Sequence, residues 1–487
     1  MTKPLHILTL VLLVECGLAR CCVAETSPPA EEHNVAAVDI GTRVEMLVDD
    51  WLIDPSLSQG VELRLQTPVR REVVLTTDQP WEGNVSGYYS IFKDGSKYRL
   101  YYRGSSAKRD DSAQQVTCYA ESDDGIHFVR PKLHLHAING SDDNNVIMTG
   151  AAAHNFAPFL DSNPDAKPEE LYKALSGLTN HLTAYASADG IHWNKMQKEP
   201  VLTKGSFDSL NLAFWDEAAH TYRAYSRYMA GKIRSIQHSE SPDFLHWTTP
   251  EPNEFSESSP PTHFYTNGTL QCPGAPHHYL AFPMRFEPDR QKLSDAPEKG
   301  ISDAVFLTSR DGKKWDRTFL EAWLRAGPDP HNWTDRSNMP AWGIVQTAPD
   351  EFSMYVSEHY RWPDNRLRRV TIRRHGFAAV HAGANGGEFT TRPILFSGKQ
   401  LVLNYATSAA GSLQVEIQDA TGAVLPGYGL SDMLPLYGDE LDRAVVWKSK
   451  SDVAELVGKP VRFRFVLKDA DLFAIRTRNP DQSHESP

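Results

Sequence analysis

The stretch AYASADGIHW, residues 184–193, runs from apolar strand-forming residues through Asp-Gly to a tryptophan. A two-residue β-hairpin needs positive φ at its central positions, which Gly adopts freely and Asp tolerates. The stretch therefore predicts a strand, an Asp-Gly turn and a second strand that starts at an aromatic side chain.

The same order of features returns four more times along the chain. The copies are CYAESDDGIHF (118–128), IQHSESPDFLHW (236–247), VFLTSRDGKKW (305–315) and a weaker one, VTIRRHGF (370–377). The aromatic residues that close the five copies are 65, 54, 68 and 62 residues apart and are, in order, Phe128, Trp193, Trp247, Trp315 and Phe377. Self-similarity of this kind is the signature of a repeat architecture.

Each copy follows a second pair of strand-like segments, such as YSIFKDGSKYRLYYRG (89–104) and LAFWDEAAHTYRAYSR (212–227). The repeating unit is therefore four strands. Radial repetition of four-stranded sheets gives a propeller, which leaves only short, protected edges. Five copies predict an all-β fold built on a five-bladed β-propeller, with the five closing aromatics in equivalent positions.

The length and the charge of the chain limit what it does. At 487 residues it is long enough for more than one core, and its formal net charge is −12. Nucleic acid and anionic membranes bind basic surfaces, so both are disfavoured as partners. We expect a monomer that binds a neutral, hydroxyl-rich ligand.

The N-terminal segment has the form of a secretory signal peptide. Lys3 precedes an apolar run from Leu5 to Val14, and small residues near Ala24 mark a cleavage site. A membrane anchor is less favoured because the run is short for a span. Lipid attachment at Cys21 is a further alternative. We expect cleavage after residue 24 and a secreted or periplasmic protein.

Only two cysteines follow the predicted cleavage site, Cys118 and Cys272. They allow at most one disulfide, and no Cys-x-x-Cys metal pattern is present. Two buried thiols are the favoured interpretation, because free cysteine is among the most buried residue types.

The pattern of the chain divides it into segments. Residues 25–37 are a linker, 38–377 the propeller, 378–478 a β-sandwich and 479–487 a disordered tail. The sandwich is predicted from alternating stretches such as PVRFRFVLKD (460–469), in which apolar residues share one face. Helical patterns are short and confined to KPEELYKAL (167–175) and DVAE (452–455).

A secreted five-bladed propeller followed by a β-sandwich resembles the glycoside hydrolases of the invertase and levanase family, family 32. The arabinanase and xylosidase family, family 43, is a more distant relative. The chain is similar above all to bacterial secreted proteins described as family-32-like hydrolases. The similar runs are LVDDWLID, PWEGN, FDSLNLAFWD, DFLHWT and NYATSAAGSLQVEIQDATG.

The resemblance implies carboxylates on the inner strands of successive blades. Glycosidic cleavage uses one carboxyl group that protonates the leaving oxygen and another that is ionised near the anomeric carbon. Asp208 in FDSLNLAFWD lies within a residue of the acid position of family 32 and close to the pKa-tuning aspartate of family 43, which implies a role as the acid or as the residue that tunes it. In blade one, Ser86 falls where the family has an aspartate. The candidates to complete the pair with Asp208 are Glu82, Asp335 and Glu358.

The resemblance also implies sugar-binding residues around the funnel. In blade two, His154 and Asn155 stand where the relatives carry an acid. Asn and Arg bind vicinal hydroxyls, and Trp or Tyr stacks on a sugar face. The candidates for substrate binding are Asn84, His154, Asn155, Asn211, Tyr265, Asn267, Arg336, Asn338, Trp342, His359 and Tyr360.

The sequence thus predicts a secreted glycosidase that cleaves glycosidic bonds with paired carboxylates in the propeller funnel. The alternative is a non-catalytic propeller in which Asn84, His154, Asn155 and Asn267 bind a glycan without cutting it. A third reading is a scaffold for protein contacts. No cofactor is expected, although the fold leaves room for a structural calcium ion.

Overall fold

The computed structural model describes residues 36–107, 114–256 and 259–480. The predicted signal peptide, most of the linker and most of the tail lie outside these residues. Helix within the described part is limited to short 3₁₀ turns at Ala151–His154, Pro168–Glu170, Pro330–Asn332, Leu430–Asp432 and Ala454–Leu456. The all-β prediction is confirmed. None of the described helices has the length and apolar character needed to cross a membrane.

Antiparallel sheets of at least four strands form the blades of a five-bladed β-propeller. From the inner strand outward, the strands are Gly87–Asp94, Lys97–Gly104, Val116–Ser122 and Val146–Thr149 in blade one; Ala157–Leu160, Tyr172–Leu178, His181–Ser187 and Asn194–Lys195 in blade two; Leu212–Asp216, Thr221–Ala230, Ile233–Ser241 and Glu251–Pro252 in blade three. The inner strands of blades one and two, two and three, three and four, and five and one contact each other.

Blade four contains Thr269–Cys272, Ala275–Ala281, Leu307–Ser309 and Lys314–Asp316, extended by Glu254–Phe255. A separate hairpin, Met284–Glu287 with Ile301–Ala304, interrupts this blade. Blade five contains Val345–Ala348, Glu351–Glu358 and Arg366–Arg373. Its outer strand is Val69–Thr76, which pairs with Arg366–Arg373. The start of the propeller sequence therefore closes the ring.

The Asp-Gly turns are longer than a two-residue hairpin. In blade two, Asp189 Oδ1 accepts hydrogen bonds from the amides of Ile191 at 2.9 Å and His192 at 2.8 Å, and Gly190 has a φ of 76°. The carboxylate thus holds the turn from inside, as Asx turns do. The prediction of the turn was correct in place and wrong in length.

These turns join neighbouring blades. A tyrosine on the second strand of the preceding blade donates to the glycine carbonyl and packs its ring edge-on against the closing aromatic. The pairs of tyrosine and glycine are Tyr355 with Gly125 at 2.6 Å, Tyr101 with Gly190 at 3.1 Å and Tyr225 with Gly312 at 2.8 Å. The repeated motif therefore marks the seams between blades.

Two copies of the motif depart from this rule. In blade three, Phe244 occupies the glycine position with a φ of 68°, and it is buried against Phe159, Tyr222 and Trp247. The prediction that Phe377 is equivalent to the other aromatics was wrong. Phe377 leads into a strand of the second domain, because the outer strand of blade five comes from the N-terminal part of the chain.

The second domain is one hydrogen-bonded sheet of ten strands. Its C-terminal strands are Ala378–Ala382, Gly387–Thr391, Ile394–Phe396, Gln400–Asp419, Asp439–Ala444 and Val461–Arg478. Four strands from the N-terminal segment complete it: Val38–Gly41, Glu45–Met46, Ile53–Gln59 and Val61–Leu65. Residues assigned from the sequence to the propeller, 38–65, therefore pair with the strands that follow residue 377.

The last strand of this domain has the alternating burial that its sequence pattern predicted. Val461, Phe463, Phe465 and Leu467 are all buried, and the arginines between them are part-exposed. Asp469, which has a φ of 44°, separates two halves of the strand: Gly387–Thr391 pairs with the first half and Ala378–Ala382 with the second, while Gln400–Asp419 pairs with both halves on the other side. Both cysteines of the propeller, Cys118 and Cys272, are buried free thiols, as expected.

Candidate functional site

A cavity of about 660 Å³ opens at the axis of the propeller, where the inner strands begin. This volume lies in the usual range for small-molecule sites. Every blade contributes one residue that lies at or just before its inner strand: Tyr88, His154, Asp208, Tyr265 and Arg336. The remaining lining residues are Arg103, Gln115, Leu178, Thr179, Asn180, Gly205 and Ser206.

The backbone of the cavity wall is strained at three places. Tyr88 has a φ of 53°, Thr179 of 57° and Arg336 of 57°. Side chains other than glycine rarely adopt this left-handed conformation, and residues that do so concentrate at functional sites. Nine other described residues adopt the same conformation outside the cavity, so the strain fixes the backbone at these positions without assigning them a function.

Asp208 is the one carboxylate among the described residues that line the cavity. Its side chain is 57% exposed, and the guanidinium of Arg227 binds it. The backbone carbonyl of Asp208 accepts a hydrogen bond of 3.2 Å from the hydroxyl of Tyr88. An exposed, oriented carboxylate is a group that can exchange protons with a bound ligand.

Tyr265 lies among three guanidinium groups. The guanidinium carbons of Arg227, Arg234 and Arg336 are 5.2, 5.4 and 5.7 Å from the centroid of its ring. Burial alone would raise the pKa of the Tyr265 hydroxyl, but Arg336 and Arg227 lower it, and the net shift is downward. The phenolate form is therefore more accessible than in an ordinary tyrosine.

The neighbouring groups keep their neutral forms. Burial raises the pKa of Tyr88 well above its ordinary value, so its hydroxyl stays a donor. Burial and, after it, the charge of Arg103 lower the pKa of His154 to about 3. The neutral ring of His154 lies with Nδ1 2.7 Å from Oε1 of Gln115 and packs edge-on against Tyr88. Both residues can bind sugar hydroxyls as neutral partners.

A network of buried side chains holds the guanidinium of Arg336 in position. Asp335 is bound by Arg336 at 3.0 Å and by Arg361 at 3.3 Å, and its side chain is almost fully buried. The hydroxyl of Tyr360 accepts from Arg103 at 3.1 Å and from Arg336 at 3.3 Å. Asp335 and Tyr360, both predicted as site residues, thus lie behind the cavity wall and orient residues that line it.

Glu82, a candidate for the second catalytic carboxylate, is buried in blade one and does not line the cavity. Arg130 binds both of its oxygens, at 2.8 and 3.0 Å, and Tyr102 donates to it at 2.5 Å. These contacts occupy the carboxylate with partners from its own blade.

Glu358 also lies outside the cavity. Three arginines bind its buried carboxylate: Arg70 at 3.2 Å, Arg366 at 3.0 Å and Arg368 at 2.8 Å. Because Arg70 comes from the strand that closes the ring, this cluster fastens the outer strand of blade five.

The predicted sugar-binding asparagines are mostly engaged with the backbone. Each donates its amide to main-chain carbonyls: Asn84 to Arg361; Asn155 to Gly177, Phe207 and Ser209; Asn211 to Phe207 and Ser209; Asn267 to Leu210 and Tyr225; Asn338 to Ser302 and Asn332. They hold the segments that carry the cavity residues. Of the residues nominated for glycan binding, only His154, Tyr265 and Arg336 line the cavity.

Trp342 and His359 are likewise placed away from the cavity. Trp342 donates through Nε1 to the carbonyl of Thr269 at 2.9 Å, and its backbone pairs with the inner strand of blade one. His359 lies between Asp329 and Asp364, at 2.8 and 2.7 Å. Trp342 therefore packs at a blade seam, and His359 belongs to an ion-pair cluster.

Sequence reasoning missed Tyr88, Arg103 and Arg227. A signal for the two arginines is present, because both end the pattern Arg-x-Tyr-x-Arg, at 99–103 and 223–227. In each copy the first Arg and the Tyr bind the Asp-Gly turn of the next blade. Residues two apart on a strand share a face, so the last Arg extends the same row toward the cavity.

Groups of possible metal ligands lie elsewhere. The sets are Glu45, His277 and His278; Asp329, His331 and His359; and His134, Asp142 and Asp143. A guanidinium already binds Glu45 at 2.8 Å and Asp329 at 3.2 Å. None of these residues lines the cavity, so a cation bound at any of them would lie outside the site.

No protein-family model and no curated protein sequence matches the chain. Solved structures with a similar fold include a glycosyl hydrolase from Bacteroides ovatus, with a TM-score of 0.41 and 13% identity over 67% of this chain and 96% of that one. The catalytic domain of a family 62 α-L-arabinofuranosidase from Coprinopsis cinerea gives 0.41 and 10%, over 63% and 97%. An N-acetylgalactosamine deacetylase from F. plautii gives 0.41 and 11%, over 64% and 95%.

Proposed function

We propose that the protein is a glycosidase whose reaction takes place in the axial cavity. The observation that carries this proposal is the pairing, in one cavity, of an exposed carboxylate with a tyrosine that arginines bias toward the phenolate. Glycosidic cleavage needs a group that moves a proton at the leaving oxygen and an electron-rich group near the anomeric carbon. Asp208 and Tyr265 supply these two functions.

In this mechanism Asp208 gives its proton to the glycosidic oxygen as the bond from that oxygen to the anomeric carbon breaks. The phenolate oxygen of Tyr265 stabilises the positive charge that develops on the sugar ring. Tyrosine in place of a second carboxylate has precedent among glycosidases. Water then adds to the anomeric carbon and returns a proton to Asp208, so the net reaction is hydrolysis.

The neutral and cationic residues of the wall are assigned to binding. Tyr88 and His154 offer neutral hydrogen-bonding groups to sugar hydroxyls. Arg336 is held in place by Asp335 and Tyr360. We further propose that the N-terminal segment directs export, so that the glycan is met outside the cytoplasm.

A second function is a carbohydrate-binding propeller without catalysis. The specific observation in its favour is that the buried carboxylates of Glu82 and Glu358 are each bound by arginines, so that Asp208 is the one carboxylate among the described residues of the cavity wall. In that case Asp208 accepts a hydrogen bond from a sugar hydroxyl.

A screen of the purified protein against fructans, arabinans, xylans and algal polysaccharides tests the proposal, with release of reducing ends as the readout. Asn180→Trp fills the mouth of the cavity at an exposed position and should abolish cleavage. Lys195→Trp, which adds the same side chain to an exposed site on the outer strand of blade two, should leave it unchanged. Binding without cleavage by any form favours the second function.

A further inference from the structure

The cavity carries a surplus of positive charge that the overall composition hides. Formal net charge is −12 for the chain, yet the groups around Tyr265 are mostly guanidinium. Arg227 pairs with Asp208, Arg336 and Arg361 pair with Asp335, and Arg234 pairs with no described carboxylate. Even with both carboxyl groups and the Tyr265 hydroxyl ionised, these described residues keep one positive charge. A local field of this sign attracts anions.

Two of these arginines have bonding capacity that the described residues do not use. Arg234 lies over the rings of Tyr265 and Phe286 and forms no ion pair with a described carboxylate. Arg336 donates through Nε to Asp335 and through Nη1 to Tyr360, whereas its Nη2 donates to no described residue. Its side chain is 24% exposed at the cavity. Arg336 is therefore held in place by two hydrogen bonds, and its Nη2 has no described acceptor.

We propose that the cavity binds an acidic sugar, a uronate unit of a glycan, with its carboxylate on Arg336. Cleavage of this sugar rests on the proposed function, whereas its binding to Arg336 does not. A planar guanidinium matches the two oxygens of a carboxylate, and a charge-assisted bond of this kind is about twice as strong as a neutral one. The left-handed backbone at Arg336 fixes its place in the wall.

The acidic sugar also accounts for the mixed character of the wall. Tyr88 and His154 are neutral groups suited to hydroxyls, and they line the cavity beside the arginines, with the guanidinium carbon of Arg103 4.7 Å from the centroid of the Tyr88 ring. A neutral sugar would leave the surplus charge without a counterion in a partly buried site, which is unfavourable. This proposal therefore replaces the expectation of a neutral ligand, which was drawn from the net charge of the whole chain.

Calorimetric titration of the full protein tests the inference directly. The probes are glucuronate and galacturonate, their neutral counterparts glucose and galactose, and galactose 6-sulfate. A hydrogen bond to a charged group contributes about 1.5–3 kcal/mol, so a uronate should bind about tenfold or more tightly than the matched neutral sugar. Arg336→Gln should remove this preference, whereas Arg443→Gln, an exposed arginine of the second domain, should keep it.

Equal affinity for glucuronate and glucose, or binding of the sulfate alone, overturns the inference. The wild-type comparison needs no variant, so a folding defect in Arg336→Gln does not weaken it. The outcome is also separable from the proposed function. Cleavage of neutral glycans without a preference for uronates refutes only the acidic sugar, and uronate binding without cleavage of any glycan refutes only the glycosidase.

Discussion

The guanidinium carbon of Arg336 lies 5.7 Å from the centroid of the Tyr265 ring, and Arg227 approaches the same ring to 5.2 Å. The two arginines come from different blades, so the ring is held between parts of the chain that are more than a hundred residues apart. Both arginines favour the ionised form of the Tyr265 side chain, which places a tyrosine with a perturbed pKa in the cavity.

A tyrosine with a lowered pKa should leave its mark on the pH profile. Because Tyr265 loses its proton at lower pH than an ordinary tyrosine, activity that needs the phenolate rises with pH through this lowered pKa. Tyr265→Phe should lower kcat strongly and remove that limb. Ultraviolet difference titration of wild type against Tyr265→Phe should show a tyrosine that ionises early.

The matched control for this titration is Tyr437→Phe, which changes an exposed tyrosine of the second domain. The activity of this variant should keep the pH profile of the wild type. A Tyr265 whose ionisation is not shifted to lower pH, or a pH profile unchanged in Tyr265→Phe, contradicts the role assigned to the phenolate.

Glu358 offers a test of the ion-pair cluster in blade five. Burial alone would raise the pKa of this carboxyl, but Arg368 and Arg366 lower it, and the net shift is downward. Its stabilising contribution is therefore complete above the unfolded pKa and is lost as the pH falls through the folded pKa. Glu358→Gln should cost about 1.5–3 kcal/mol of unfolding free energy at neutral pH, because three part-exposed arginines lose their charge-assisted hydrogen bonds to a buried carboxylate.

Denaturant unfolding at several pH values measures this effect. The difference between wild type and Glu358→Gln should shrink in acid. Glu62→Gln, which breaks an exposed pair with Arg64, should cost no more than about 1 kcal/mol. A Glu358 variant as stable as Glu62→Gln would show that the cluster contributes little, and loss of activity in a fully folded Glu358→Gln would return this residue to the list of catalytic candidates.

Gly312 tests the function of the Asp-Gly turns as seams between blades. It has a φ of +73°, and a Cβ built there would lie 2.5 Å from the hydroxyl of Tyr225 and 2.6 Å from Nη1 of Arg223. Gly95 has a φ of +56° with open space around it. Gly95→Ala should therefore cost only the backbone strain, about 1 kcal/mol.

Gly312→Ala should destabilise the protein by clearly more than Gly95→Ala, because it also separates Tyr225 and Arg223 from the turn of the next blade. Thermal unfolding of the two variants gives the comparison. Equal melting temperatures would mean that the contacts between blades adapt to the added methyl group, and the seam would then be looser than its hydrogen bonds indicate.

The blades could be predicted from the sequence because their signal is local. An Asp-Gly pair and a following aromatic lie within one turn, and the turn repeats with the blade. What could not be predicted is pairing over long distance. Nothing local in Val69–Thr76 shows that it pairs with Arg366–Arg373, and the same holds for the strands of residues 38–65 that join the second domain. Phe377 was misplaced for this reason.

The site was harder to predict than the fold. Of the predicted site residues, Asp208 and His154, which were candidates from the family resemblance, line the cavity together with Tyr265 and Arg336. Glu82 and Glu358 lie near such positions too, but arginines from other strands bind them. Arg227 was missed because an arginine within a strand looks like an exposed face. Burial and charge pairing across blades decide these cases, and neither is visible in one sequence.

The most direct test of the central claim is the turnover of Asp208→Asn on a glycan that the wild type cleaves. The amide keeps the shape of the carboxylate but cannot transfer its proton, so kcat should fall by a factor of about 10²–10⁴ while the protein stays folded and keeps its sugar affinity. Asp295→Asn, at an exposed aspartate outside the cavity wall, should match the wild type. An Asp208→Asn enzyme with unchanged kcat would contradict the account, because the cavity wall offers no other described carboxylate to take its place.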